Sequence, residues 1–117
     1  MTHFGEYVRK HREKRLEQDP RYSLRQVATR VGLEPAYLSK IERGEMAPPS
    51  EDAVKRIAVA LEEDPDVLLA MAGKVSKDLQ EIIRKRPKLF AQLIRELKKA
   101  PNHALLRIVR EVRDGEW

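Results

Sequence analysis

The chain has 117 residues, a length that fits one domain or a small domain with an appendage. Charged residues make up 37% of it, aromatic residues 5%, and glycine occupies only five positions, which is typical of a mostly helical protein. Cysteine is absent, which excludes both a disulfide framework and a cysteine zinc site. Because no apolar run approaches the length of a signal-peptide core or a membrane span, we expect a cytoplasmic protein without membrane association.

The net charge of +5 is unevenly distributed along the chain. Residues 1–44 hold ten Lys and Arg against six Asp and Glu, residues 45–73 hold two against seven, and residues 74–117 hold twelve against six. The basic first segment would attract phosphates, and the acidic middle segment should point away from a nucleic acid. Basic side chains also simply solvate helix faces, so charge alone does not distinguish a nucleic acid from an acidic protein partner.

The first predicted helix runs from about Thr2 to Glu17, and residues 18–22 follow as a loop. Its apolar face is formed by Phe4, Val8 and His11. We interpret His11 as a partly buried packing residue rather than a ligand.

Residues 23–43 are typical of two short helices joined by a tight glycine turn. Ser23 is suited to cap the first of these helices, and Gly32 ends it where a left-handed backbone is needed. Pro35 suits the first turn of the second helix, where its missing amide costs little. The second helix turns Leu38 and Ile41 inward. Its outward side then carries Ala36, Ser39, Lys40 and Arg43, with Tyr37 at the edge.

Two further helices complete the front part of the chain. Ser50 is the predicted cap of a fourth helix, and a short fifth helix spans about Pro65 to Ala72 before Gly73 closes it. The apolar stripe of the fourth helix consists of Ala53, Val54, Ile57, Ala58 and Leu61. The predicted inward residues of the fifth helix are Val67, Leu68 and Met71.

This ordered set of signals resembles the phage repressor/Cro-type (Xre-like) helix-turn-helix family over roughly residues 1–73. The residues that carry the resemblance are Phe4-Gly5, Arg12, the SLRQVA opening at Ser23, Val31-Gly32, the run from Tyr37 to Gly44, and Pro48-Pro49-Ser50. The resemblance implies a five-helix DNA-binding domain whose recognition helix, residues 35–43, enters the major groove. It also implies an ion pair between Arg12 and Glu42 that joins the first helix to the recognition helix.

The outward residues of the recognition helix differ in what they can read. Lys40 can donate to guanine acceptors, and Ser39 to a base or a phosphate. Pro35 and Ala36 offer apolar contact suited to thymine methyl groups, and Arg43 is better placed for a phosphate. The family often has a phosphate-binding glutamine where Leu24 stands here, so Arg25 or Arg21 is expected to substitute.

Residues 74–117 predict three further helices with strong apolar stripes. Pro87 and Pro101 separate them, because a residue before proline avoids the helical region. So short a segment is marginal for a core of its own and needs another surface, which the front domain, a second copy or a different protein could supply. Family precedent and ordinary symmetry favour a two-fold dimer. The interface is expected to consist of Leu93, Ile94, Leu97, Ile108 and Val112.

The sequence contains no residue pattern typical of a catalytic site. The three histidines lack metal-ligand spacing, no serine has a convincing base, and no glycine loop would hold a phosphate. We therefore expect an all-α, non-enzymatic protein without metal or cofactor: a five-helix repressor-like domain, residues 1–73, with a three-helix extension, residues 74–117. The favoured function is a sequence-specific DNA-binding transcriptional regulator, a dimeric repressor. The alternative is an antitoxin-like interaction module whose C-terminal helices bind a partner protein.

Overall fold

The computed structural model describes residues 3–117 and contains, within that range, eight α-helices, one short 3-10 helix and no β-strand. The helices are α1 His3–Leu16, α2 Leu24–Val31, α3 Pro35–Glu42, α4 Glu51–Ala60, α5 Pro65–Met71, α6 Lys77–Lys85, α7 Pro87–Leu97 and α8 Asn102–Asp114. The 3-10 helix spans Pro20–Tyr22. The predicted all-α class is confirmed over the described range, and Thr2, the predicted first residue of the first helix, lies outside it.

The chain divides into two compact units, one that ends at Ser76 and one that spans Lys77–Trp117. Helices α1 to α5 belong to the first unit, and α6 to α8 belong to the second. Across residues 3–117, no helix is both long enough and apolar enough to cross a membrane.

The first unit has one continuous hydrophobic core to which all five of its α-helices contribute. Its buried members are Phe4, Val8, Val27, Ala28, Val31, Leu38, Ile41, Val54, Ile57, Ala58, Leu61, Leu68 and Leu69. The stripe predicted for the fourth helix is confirmed, because all five of its residues are buried. The prediction for α5 was wrong at Val67, which is 45% exposed, whereas Leu69 is buried. A seven-residue helix buries a narrow arc, and that arc centres on Leu68 and Leu69.

Four helices of the first unit end in the same left-handed geometry. The residues with positive φ are Gly32 (73°), Gly44 (75°), Glu62 (56°) and Gly73 (76°). In each case the next amide returns to a carbonyl five residues earlier, as Leu33 does to Ala28 at 2.9 Å and Glu63 to Ala58 at 2.8 Å. The predicted Ser23 cap is also confirmed, since its hydroxyl accepts from the Gln26 amide at 3.2 Å. Local sequence therefore sets the limits of α2.

The loop predicted over residues 18–22 contains the 3-10 helix, which was not predicted from the sequence. The Asp19 carboxylate accepts from the Arg21 amide at 2.9 Å and so caps the helix, and Pro20 occupies its first turn. The segment therefore holds Tyr22 against the core instead of forming an open connection.

Helices α1 and α3 approach closely at Gly5, which is buried. A β-carbon added to Gly5 would lie 2.1 Å from the Ile41 carbonyl oxygen and 3.0 Å from that of Glu42. Only glycine leaves room for this contact. Gly5 therefore sets how closely α1 supports the end of α3.

The second unit consists of amphipathic helices that do not form a comparable core. None of the residues of α6, α7 or α8 is fully buried. A few positions are partly buried, most of them apolar, among them Ile83, Phe90, Leu97 and Leu105. The unit therefore presents much of its apolar surface on the outside.

Candidate nucleic-acid interface

Helix α3 is the element that the sequence assigns to base reading. Leu38 and Ile41 are buried in the core, so the opposite side of the helix faces outward. Of the residues expected to contact DNA here, the exposed ones are Ala36, Lys40 and Arg43, and the half-buried ones are Pro35, Tyr37 and Ser39. The outward side thus carries one cation within the helix and another at its C-terminal cap.

A buried ion pair joins α3 to α1. Arg12 Nε lies 2.7 Å from Glu42 Oε2, and Arg12 Nη2 lies 2.8 Å from Oε1, a bidentate contact. The two residues are only 6% and 4% exposed. Hydrogen bonding to Glu42 raises the pKa of Arg12. Arg12 Nη1 also donates to the Tyr22 carbonyl at 3.2 Å, so one guanidinium holds α1, α3 and the 3-10 helix together.

A shallow concavity lies beside the end of α3, and one cation that lines it, Arg9, was not predicted from the sequence. Ser39 and Arg43 line it from α3, Leu24 from the start of α2, and Arg9 from α1. Arg9 lies one helical turn before Arg12, so the two arginines share a face of α1. That three-residue spacing was the available signal. Arg9 contacts Glu13 at 3.4 Å on the surface, a weak and readily exchanged pair.

Arg43 already has an anionic partner in the chain. Its Nε contacts a carboxylate oxygen of Glu45, and both side chains are about half exposed. A phosphate at this position would compete with Glu45 for the same guanidinium. Glu45 is therefore positioned to weaken any contact between Arg43 and a polyanion.

The two arginines expected to substitute for the family's glutamine have different surroundings. Arg21 binds Asp19 through two nitrogens, with Nη2 2.8 Å from Oδ2, and this hydrogen bonding lowers the pKa of Asp19. Arg25 is exposed in the first turn of α2. Leu24, which stands in the glutamine position, packs against the core instead. The geometry favours Arg25 over Arg21 as the free cation at this end of α2.

A polar cluster links α1 to the turn before α5. His11 Nδ1 lies 2.8 Å from Glu63 Oε1, and the Tyr7 hydroxyl donates to Glu63 Oε2 at 3.3 Å. Burial and the neighbouring Glu63 carboxylate raise the pKa of Tyr7. The interpretation of His11 as a packing residue was incomplete, because its ring both stacks on Tyr7 and contacts a carboxylate. Acidic residues of this region thus pair with α1.

The residues expected at a dimer or partner interface all belong to the second unit. Four of them are exposed by 39% to 61%, namely Leu93, Ile94, Ile108 and Val112. Leu97 is half-buried. They lie on α7 and α8, on faces that carry further exposed apolar residues, namely Leu89, Leu106 and Val109.

Two short helices joined at a left-handed glycine, with the second helix locked to a scaffold helix, define a helix-turn-helix arrangement. Residues 3–71 match the family model described as helix-turn-helix domain. The chain belongs to the helix-turn-helix domain family.

The chain is also similar to two curated proteins of Mycobacterium tuberculosis, one from strain CDC 1551/Oshkosh and one from strain ATCC 25618/H37Rv. Both are named uncharacterized HTH-type transcriptional regulators. Each is 39% identical to this chain over 69 residues, which are 59% of this chain and 45% of the relative. The chain therefore spans less than half the length of these relatives. No solved structure matches it.

Proposed function

We propose that the chain is a sequence-specific DNA-binding transcriptional regulator of the Xre-like type, a dimeric, cytoplasmic repressor without enzymatic activity. The observation that carries this proposal is the buried contact between Arg12 and Glu42, which holds α3 with its cationic side outward. A reading helix must be rigid before it meets DNA, because any ordering on binding reduces the affinity. The names of the two mycobacterial relatives support the transcriptional-regulator part of this proposal.

Each residue on the outward side of α3 has a chemical role in this proposal. Lys40 donates to guanine in the major groove, and Ser39 donates to a base or a phosphate. Pro35 and Ala36 contact thymine methyl groups, with Tyr37 at the edge of the interface. The phosphate contacts are assigned to the surrounding cations, namely Arg9, Arg25 and Arg43.

The second unit is proposed to hold two copies together. A unit of three helices with no buried residue leaves its apolar faces in water unless another surface covers them. A second copy presents a self-complementary surface through two-fold symmetry. Two recognition helices would then reach half-sites about 34 Å apart, one turn of the duplex.

Selection of bound fragments from random DNA, followed by binding curves, tests the proposed function. On the selected sequence, Lys40→Ala should cost about 1–3 kcal/mol and relax one base position. Lys10→Ala, which removes an exposed cation from α1, serves as the control and should change affinity far less. Failure to enrich any sequence motif would count against the proposal.

A second candidate function rests on the same exposed faces of α7 and α8. In an antitoxin-like module these faces would bind a different protein, and the front unit could still bind DNA. Sedimentation of the full chain and of a chain ending at Ser76, each at micromolar concentration, separates the two functions. The dimer proposal expects a dimeric full chain and a monomeric shortened chain, whereas a monomeric full chain would favour the partner protein.

A further inference from the structure

A surface concavity lies beside the 3-10 helix, and no residue of α3 lines it. Its volume is about 490 Å³, within the range of small-molecule sites. It is lined by Tyr22, Arg30, Lys55, Arg56, Val59 and Ala60, with Glu62 at one side. None of the residues assigned to DNA contact lines it. The concavity therefore belongs to a different face of the unit from the proposed reading surface.

Two of its arginines are held in place by the backbone. Arg30 Nη2 donates to the Arg21 carbonyl at 2.8 Å, and its guanidinium carbon lies 4.9 Å from the centre of the Tyr22 ring. Arg56 Nε donates to the Val31 carbonyl at 2.9 Å. Each of these bonds uses one of the five N–H groups of a guanidinium, so further donors remain on each arginine.

The remaining lining residues combine an apolar surface with a third cation. Val59 is 71% exposed although it lies on a helix that buries its other face, and Ala60 extends the same apolar surface. Lys55 contacts Glu51 at 3.4 Å and is partly exposed. The Oε2 atom of Glu62 lies 3.4 Å from Nη1 of Arg15, which does not line the concavity. Three cations therefore border an apolar patch, and of the nearby carboxylates Glu62 lines the concavity while Glu51 pairs with Lys55.

We infer that this concavity binds a small organic anion, that is, a carboxylate or phosphate attached to an apolar body. The anionic group would accept charge-assisted hydrogen bonds from Arg30 and Arg56, and the apolar body would cover Val59 and Ala60. A neutral molecule of the same shape would give the remaining N–H groups of the two arginines no charged acceptor and would bind more weakly.

The site is placed where a ligand would act on the reading motif. Arg56 holds the carbonyl of Val31, the last residue of α2, and Gly32 begins the turn to α3 directly after it. An anion bound to the remaining N–H groups of Arg56 would therefore be linked through this arginine to the turn between α2 and α3. A ligand that binds more tightly when Arg56 holds the Val31 carbonyl would favour that arrangement of the turn.

Nuclear magnetic resonance titration of the ¹⁵N-labelled full chain tests this inference without DNA, so its outcome is independent of the proposed function. Benzoate and phenyl phosphate are the anionic probes, and benzamide is the neutral one. We expect saturable shifts of the Val31, Val59 and Ala60 amides with both anions. The double variant Arg30→Gln/Arg56→Gln should weaken binding at least about tenfold, because it removes charged hydrogen bonds.

The matched control is Arg107→Gln/Arg110→Gln, which removes the same charge from exposed positions of α8 and should leave probe binding unchanged. Equal shifts with benzamide, loss of binding in the control, or shifts confined to α7 and α8 would each overturn the site. If the double variant does not fold, Lys55→Gln replaces it and should weaken binding about threefold. Unchanged affinity in that variant would equally overturn the inference.

Discussion

The two units of this chain are built from the same kind of helix and yet differ in what covers their apolar residues. The first unit buries thirteen residues in one cluster, whereas α6 to α8 bury none. Both sets alternate apolar and charged residues at helical spacing. An amphipathic pattern therefore specifies a helix and its apolar face. Which surface packs against that face depends on the tertiary structure.

The largest expected effect concerns the buried ion pair of the first unit. Arg12→Ala or Glu42→Ala should each lower the free energy of unfolding by about 3–5 kcal/mol, because the remaining charge stays buried without a partner. Denaturant unfolding of the single and double variants measures the coupling. Additive losses, with a coupling below about 0.5 kcal/mol, would show that the two charges act independently.

The second prediction tests whether close packing, which the second unit lacks, positions α3. Gly5→Ala should destabilise the first unit by about 3 kcal/mol, because the new methyl group meets the Ile41 carbonyl. Thermal unfolding measures the loss, and Glu6→Ala, at the exposed neighbouring position, is the control. Equal stability of the two variants would mean that α1 can move away from α3 without cost.

The third prediction addresses the second unit. Leu93→Ala should leave the unfolding of the first unit unchanged but weaken self-association, by about 1–2 kcal/mol, because the exposed 44% of this residue is covered only in the proposed dimer. Sedimentation over a range of concentrations measures association. The matched control is Lys88→Ala, also exposed on α7. If Leu93→Ala associates as strongly as the control, this face is not the dimer interface.

The smallest expected effects concern the left-handed residues that end two helices of the first unit, Gly32 and Glu62. Glu62→Gly should stabilise the chain by about 1 kcal/mol, because a residue with a side chain is strained at φ 56°. Gly32→Ala should destabilise the chain by a similar amount. The cause is backbone strain rather than a steric clash, since nothing lies within 4 Å of the added carbon. Chemical denaturation measures both changes. Destabilisation by Glu62→Gly would indicate that the contact between Glu62 and Arg15 outweighs the strain.

Several elements of the first unit could be predicted because their causes are local. The Ser23 cap, the left-handed Gly32 and the stripe of α4 depend on residues within one or two turns of each other. The 3-10 helix was missed because a single Asp-Pro pair competes with the general tendency of such segments to form loops. Within the predicted inward face of α5, Val67 was misassigned, because seven residues give too short a period to locate the centre of that face.

The amino-acid sequence by itself determined the all-helical class, the helix-turn-helix motif and the outward side of α3, because helical periodicity and capping act over a few residues. Only the tertiary structure decided what lies side by side from distant parts of the chain. It brought Arg9 and Arg43 to one concavity, His11 against Glu63, and Arg30 and Arg56 to another concavity. Such neighbours depend on how helices pack and on the room left by Gly5, and no local pattern contains that information.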